Sequence, residues 1–244
     1  MKTIAVIPAR FAATRFPGKL MQKIGDKTII RMVYENAVES GIFYQVLVVT
    51  DSEVIFKEIQ SLGGFVKMSG GEHVSGSDRI AEAIVDLDVD VVVNIQGDEP
   101  FIKKEPLADL LDCFKDESVC VASLMKKVGD DEEVNNPNMV KVVCNKANEA
   151  LYFSRSAIPF KRNTQTKLPY FKHIGVYAFK KKTLLEFTRW PQGELEQTEM
   201  LEQLRYLENG VSIKMVETSF SSIGIDTLED YEKAKEYFTL LSGK

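Results

Sequence analysis

The sequence predicts an α/β protein whose mostly parallel sheet is flanked by helices, with a small lobe set into a single domain spanning 1–244. Three observations predict it. In the first half, short apolar runs alternate with longer segments that are apolar at helical spacing. The runs are bounded by Pro, Gly or Asp, and the segments open on Thr, Ser or Asp. A strand–helix–strand–helix–strand order of this kind pairs strands in parallel through right-handed crossovers.

Taken in order, Thr3 to Ile7 is a buried strand closed by Pro8. Thr28 to Ser40 is a helix with Ile29, Ile30, Val33 and Ala37 on one face and Gly41 as its stop. Val46 to Thr50 is a second strand. Asp51-Ser52 open a helix that carries Val54, Ile55, Ile59 and Leu62 and ends at Gly63-Gly64. Phe65 to Met68 is a third strand. Ser77 is placed to cap a helix from Asp78 to Leu87. Asp90 to Ile95 is the most hydrophobic strand. Lys104 to Lys115 is a helix that tolerates Pro106 in its first turn.

Val119 to Met125 is a strand, and 130–138, acidic and Asn/Pro-rich, is a surface loop. Lys141 to Val143 and Ala150 to Phe153 are strands about a turn; 161–168 is polar. In the strand Lys172 to Phe179, His173, Gly175 and Tyr177 share one face. Glu196 to Glu208 is one helix, with Leu201, Leu204 and Leu207 inward and Glu208 solvated. Val211 to Val216 is a strand. Thr227 caps the last helix, Leu228 to Leu241, which leaves Asp226 free for another task. The same acid also suits the helix dipole.

Three loops concentrate the chemistry. Pro8 to Lys19 holds Arg10, Arg15 and Lys19 among small residues punctuated by Pro and Gly. Arginine offers phosphate a planar fork, lysine a point charge, and short side chains let a ligand approach the backbone. The loop reads as a triphosphate cradle; a solvated basic loop has the same composition. It is not a Walker A loop, because Ala13 stands where its first Gly belongs and Leu20 follows Lys19. Ser69 to Arg79 is small and polar, suited to backbone contact with a flat ligand or to a flexible turn, with His73 a loop residue. Gln96-Gly97-Asp98-Glu99-Pro100 places acid just past the carboxyl end of the central strand. That suits a hard cation, or simply a turn.

Lys plus Arg total 31 against 36 Asp plus Glu, a net charge of −5, which argues against a nucleic-acid or anionic-membrane binder. No apolar run reaches the ~18 residues of a spanning helix, and no secretory cleavage pattern is present. Cys113, Cys120 and Cys144 include no C-x-x-C pair, which fits a reducing compartment and argues against a thiolate metal site. His73 and His173 are the only histidines, too few for a His-rich metal site.

Together these residues resemble one family. Ile7-Pro8-Ala9-Arg10 through Phe16-Pro17-Gly18-Lys19 is similar to the signature loop of sugar-activating nucleotidyltransferases. Ser75-Gly76-Ser77-Asp78-Arg79, Asn94-Ile95-Gln96-Gly97-Asp98-Glu99-Pro100, Ala150-Leu151-Tyr152-Phe153-Ser154-Arg155 and Leu201-Glu202-Gln203-Leu204-Arg205 resemble a narrower group. That group is the 3-deoxy-manno-octulosonate (Kdo) cytidylyltransferases, or CMP-Kdo synthetases. Leu228, where Pro is common, and Ala13, where Ser is frequent, depart from its pattern without removing a charge.

The resemblance implies a Rossmann-like sheet of the nucleotide-diphospho-sugar transferase type, with a sugar-binding and dimerisation lobe at about 140–215. It implies a cytoplasmic homodimer that converts CTP and Kdo to CMP-Kdo and pyrophosphate with Mg2+, in lipopolysaccharide precursor synthesis. Arg10, Arg15 and Lys19 would bind the triphosphate, with Lys19 beside the α-phosphate, and Pro8 and Ala9 would contact the nucleotide. Asp98 and Asp226 would coordinate magnesium, and Ser75, Gly76, Ser77, Arg79 and Gln96 would recognise the nucleotide. Arg155 would take the sugar carboxylate, and His173, Tyr177, Glu202 and Gln203 its hydroxyls. Catalysis would rest on Lys19, Arg10, Asp98 and Asp226. The rivals are a metal-dependent glycosyltransferase, a non-catalytic nucleotide-binding module and a cytidylyltransferase for 8-amino-Kdo or sialate. The Tyr-Phe-Ser-Arg and Leu-Glu-Gln-Leu-Arg stretches favour the octulosonate.

Overall fold

The computed structural model describes residues 1–12, 15–70, 73, 75–128, 134–163, 165, 168–221 and 223–242. Ala13 and Thr14, Gly71, Glu72 and Val74, and parts of the stretches 130–138 and 161–168 lie outside the described residues. The elements begin with β1 (Thr3–Ala9), β2 (Lys23–Ile24), β3 (Lys27–Thr28), α1 (Ile29–Glu39), β4 (Gln45–Thr50) and α2 (Glu53–Ser61). Then come β5 (Phe65–Met68), α3 (Gly76–Ile84), β6 (Val91–Asn94), α4 (Lys104–Asp112), β7 (Val121–Val128), β8 (Lys141–Cys144) and β9 (Ala150–Ser154). Last are β10 (Tyr170–Lys180), α5 (Lys181–Phe187), α6 (Glu194–Glu199), α7 (Leu204–Glu208), β11 (Ile213–Glu217) and α8 (Leu228–Ser242). The chain divides into two compact units, Met1–Lys104 with Ser222–Lys244, and Glu105–Ser221.

In the first unit β6, β1, β4 and β5 pair side by side, all in parallel. Ile4, Ala5, Val6 and Ile7 are fully buried, as a strand covered on both faces by helices requires. Thr28 Oγ1 accepts the Arg31 N–H to cap α1, and Ser52 accepts the Ile55 N–H to cap α2. The α3 cap is Ser75, not Ser77. Ser75 Oγ accepts the Asp78 N–H at 3.2 Å while the Asp78 carboxylate accepts the Ser75 N–H at 3.0 Å. This reciprocal box needs an acid three residues after the cap, which Ser75 has; Ser77 is buried in the first turn.

α8 closes the unit. Thr227 caps it in a second box with Asp230. Tyr231 Oη donates to the Lys23 carbonyl at 2.6 Å, and the Tyr231 ring lies 5.7 Å from Phe16. The Ile225 N–H donates to the Asp98 carbonyl at 3.0 Å, so the returning segment is bonded to the loop that follows β6.

In the second unit β7 pairs antiparallel with β10 and parallel with β11, while β8 joins β10 to β9. The single helix expected over 196–208 is two helices. Met200, in the left-handed region at φ 53°, ends α6 before α7 begins. The cause is tertiary. Glu196 and Arg205 stand nine apart in sequence and would lie on opposite sides of a continuous helix. The break lets them form a buried two-pronged pair, Nε–Oε2 2.6 Å and Nη2–Oε1 2.5 Å, with the guanidinium 4.2 Å from the Phe187 ring. Glu208 is exposed, as expected, and its carboxylate also accepts the Leu195 and Glu196 N–H groups at 3.1 and 3.4 Å. It caps α6 where Gly193 has no side chain to offer.

Candidate active site

The cationic loop leaves β1 and turns at Gly18, whose φ of 67° suits glycine, into a short 3₁₀ turn that carries Lys19. Gly97 follows β6, and a Cβ there would sit 3.1 Å from the Pro8 carbonyl oxygen. The loop after β6 therefore passes the end of β1 at backbone distance. Lys19 Nζ lies 2.5 Å from Asp98 Oδ2 and 2.8 Å from Asp226 Oδ1. Arg15 Nη2 lies 3.0 Å from Asp226 Oδ2. Residues more than 200 apart in sequence thus meet at one point, because α8 returns to the loop after β6.

The charges are unequally screened. The Lys19 side chain is 12% exposed, those of Asp226 and Arg15 50% and 63%. Burial alone would lower the Lys19 pKa, but the Asp98 and Asp226 carboxylates outweigh it and hold the ammonium above its usual value. Burial alone would raise Asp226; the hydrogen bond and charge of Lys19, with Arg15, hold it below the usual carboxylate range.

A cavity of about 300 Å³ opens here, lined by Pro8, Arg10, Lys19, Gly76, Gln96 and Asp98. A second, of about 610 Å³, is lined by Arg10, Asp51, Ser69, Gly70, His73 and Arg79. Arg10 borders both, and its Nη2 reaches the His73 carbonyl at 3.5 Å. Ala9 is buried at the end of β1, and Ser75 and Ser77 line neither cavity. Arg79 is buried, with Nη2 2.8 Å from Asp51 and Nη1 on Ser69 Oγ. Its Nε has no hydrogen-bond partner among the described residues. Asp51 and Ser69 are residues the sequence reading missed as site members. The signal existed: Asp51 follows β4 as Asp98 follows β6.

The donor set fits a magnesium ion. Asp98 and Asp226 aim hard oxygens at a single point, where the Lys19 ammonium sits. Among the described residues no three His, Cys, Asp or Glu side chains group together for a metal, so phosphate and water would complete the shell.

The residues expected to meet a sugar all lie in the second unit. His173 and Tyr177 stack obliquely, ring centres 5.2 Å apart, on one side of β10. Tyr177 continues into Phe179, Tyr206 and Phe187. Burial, and then the nearby Glu202 charge, push the Tyr177 and Tyr206 hydroxyls well above their ordinary value. Gln203 is buried at the start of α7; its Nε2, like Tyr206 Oη, has no hydrogen-bond partner among the described residues. An unpaired buried amide is costly unless a ligand completes it. Arg155 donates to three main-chain carbonyls, of Glu199, Pro137 and Met200. Those bonds leave one N–H on each terminal nitrogen for a carboxylate. The fully buried Lys141, read in the sequence only as part of a strand, bonds the carbonyls of Asn136, Met139 and Arg155 and so ties down the same corner.

Over residues 4–214 the chain matches the family model described as Cytidylyltransferase. A 3-deoxy-manno-octulosonate cytidylyltransferase of Flavobacterium johnsoniae is 57% identical over 238 residues, 96% of this chain and 98% of that one. Its counterpart in Christiangramia forsetii is 52% identical, over 96% of each chain. The solved structure of a CMP:2-keto-3-deoxy-manno-octonic acid synthetase complexed with CTP superposes with a TM-score of 0.94 at 36% identity, over 98% of this chain and 99% of that one. The α/β fold and these relatives agree. The chain belongs to the cytidylyltransferase family, among the 3-deoxy-manno-octulosonate cytidylyltransferases.

Proposed function

We propose that the protein activates Kdo: CTP and Kdo give CMP-Kdo and pyrophosphate, by in-line attack of the anomeric hydroxyl on the α-phosphorus. The observation that carries this reading is the convergence of Lys19, Asp98 and Asp226, in a chain whose relatives are named for that reaction. Phosphoryl-type transfer depends chiefly on positioning and charge neutralisation.

Arg10, Arg15 and Lys19 bind the triphosphate, and Lys19 faces the α-phosphate. Lys19 and Arg15 are paired with Asp98 and Asp226. A bound triphosphate competes for them and frees the carboxylates, which would then hold magnesium. That ion supplies neutralisation of phosphate charge and a lowered pKa for the attacking hydroxyl. Pro8, Ala9, Ser75, Gly76, Ser77, Arg79 and Gln96 recognise the nucleotide. Arg155 binds the sugar carboxylate, and His173, Tyr177, Glu202 and Gln203 its hydroxyls. We place the enzyme in the cytoplasm as a homodimer formed through residues at about 140–215, in lipopolysaccharide precursor synthesis. Free thiols at Cys113, Cys120 and Cys144 support a reducing compartment. No described helix is long and apolar enough to cross a membrane.

The test is product analysis by mass spectrometry, with CTP and a panel of Kdo, 8-amino-Kdo and sialate. The expected result is CMP-Kdo formed fastest, with one pyrophosphate released per sugar. Turnover of another sugar in preference to Kdo, or transfer from a nucleotide sugar without pyrophosphate, would overturn it.

A further inference from the structure

We propose that Ser123 is a positioning residue that sets the tautomer of His173, leaving Nδ1 as a bare hydrogen-bond acceptor for a sugar hydroxyl. The contact with the sugar rests on the reading above; the tautomer does not.

Ser123 is fully buried on β7 and stands opposite Tyr177, where the β10 register shifts between Ile174 and Tyr177. At this bulge three groups face its hydroxyl. Oγ lies 2.9 Å from His173 Nε2, 2.9 Å from the Val176 carbonyl oxygen and 3.3 Å from the Ile174 carbonyl oxygen. Carbonyls only accept, and a hydroxyl has one proton to give. Given to His173, that proton would leave both carbonyl oxygens pressed against an oxygen lone pair. Two carbonyl oxygens facing that lone pair would be repelled by it, and burial strengthens the repulsion. The proton therefore goes to Val176, the nearer carbonyl, and Oγ accepts. Nε2 must then carry a hydrogen.

A neutral imidazole has one N–H, so Nδ1 is bare. The doubly protonated ring is disfavoured, because burial pushes the His173 pKa down to about 3. The ring makes no other hydrogen bond among the described residues, and Phe153 and Tyr177 hold it, each with ring centres 5.2 Å away. His173 is thus a neutral acceptor fixed in place. It suits a hydroxyl that donates and repels a carboxylate, which accepts. A sugar acid meeting this ring would present an alcohol to it and its carboxylate elsewhere.

Heteronuclear NMR of the imidazole nitrogens in the full-length protein reads the tautomer directly. The chain has two histidines, and His73→Gln leaves the His173 ring alone in the spectrum. The expected result at neutral pH is a protonated Nε2 and a bare Nδ1. Ser123→Ala should give a mixed or reversed tautomer. It should also raise KM for Kdo roughly five- to tenfold, with KM for CTP unchanged. Ser123→Thr, which keeps the hydroxyl, should restore both. A bare Nε2 in the otherwise wild-type ring overturns the inference even if Ser123→Ala fails to fold. So does a tautomer that Ser123→Ala leaves unchanged. The expected tautomer with an unaltered KM for Kdo in His173→Asn overturns the sugar contact alone.

Discussion

Two clusters of polar groups differ in how they are built. In the first unit, Arg15, Lys19, Asp98 and Asp226 are charged and partly open to water, and are drawn from both ends of the chain. In the second, His173, Tyr177, Gln203 and Tyr206 are neutral; Gln203 and Tyr206 are buried, His173 and Tyr177 half-buried, and the three rings pack on aromatic neighbours. The first cluster neutralises itself in the free protein and is ready to exchange partners with an anion. The second holds polar atoms in fixed directions, some of them unpaired, ready to be completed. Charge exchange suits a triphosphate, whereas fixed direction suits the selection of one sugar among many.

The sharpest way to break this contrast is to remove the central cation. Lys19→Met should lower kcat by about a thousandfold, the scale of a lost preorganised charge contact, with an unchanged circular dichroism spectrum. A loss below about tenfold would take Lys19 out of the chemistry. Stability should show the reverse pattern. Arg205→Met leaves Glu196 buried without its partner and should cost about 3–5 kcal/mol in urea unfolding. Arg15→Ala removes an exposed pair and should cost no more than about 1 kcal/mol. Similar costs for the two would show that burial does not set the ion pair of the second unit apart from that of the first.

Gln203→Met probes the neutral cluster. It deletes a buried amide whose Nε2 has no hydrogen-bond partner among the described residues. Stability should hold or rise slightly, while KM for Kdo rises roughly fivefold. A destabilisation of more than about 2 kcal/mol would point to a structural amide instead.

The smallest effect concerns pH. Asp226 has a folded pKa below its unfolded value. Its contribution to stability is therefore present above the ordinary carboxylate pKa and is lost as pH falls through the folded pKa. Because the group is half exposed, Asp226→Asn should flatten the acid limb of the stability curve by under about 1 kcal/mol. An unchanged acid limb would show that Lys19 and Arg15 do not stabilise the folded carboxylate.

The charged cluster was largely legible in the sequence, because its residues lie in loops at the carboxyl ends of strands, where small residues and charges coincide. The pairing of Lys19 with both aspartates was not, since it depends on the return of α8 through the Ile225–Asp98 bond. The Ser75 cap was readable from the acid at Asp78, and the choice of Ser77 overlooked that spacing. The break at Met200 was hidden by the leucine spacing of 201, 204 and 207, which runs on as if one helix continued; the Arg205–Glu196 pair, formed across the break, has no local signal. Ser123 carries no local signal, because its partners come from a bulge in another strand.

In the proposed reaction Asp98 and Asp226 form a metal-holding pair beside Lys19. The most direct measurement is pyrophosphate release from CTP and Kdo as magnesium is titrated, in wild-type protein and in Asp98→Asn. The expected result is saturable magnesium dependence in the wild type and a loss of about a hundredfold or more in kcat for the folded variant. Near wild-type turnover by Asp98→Asn, with the same magnesium dependence, would contradict it.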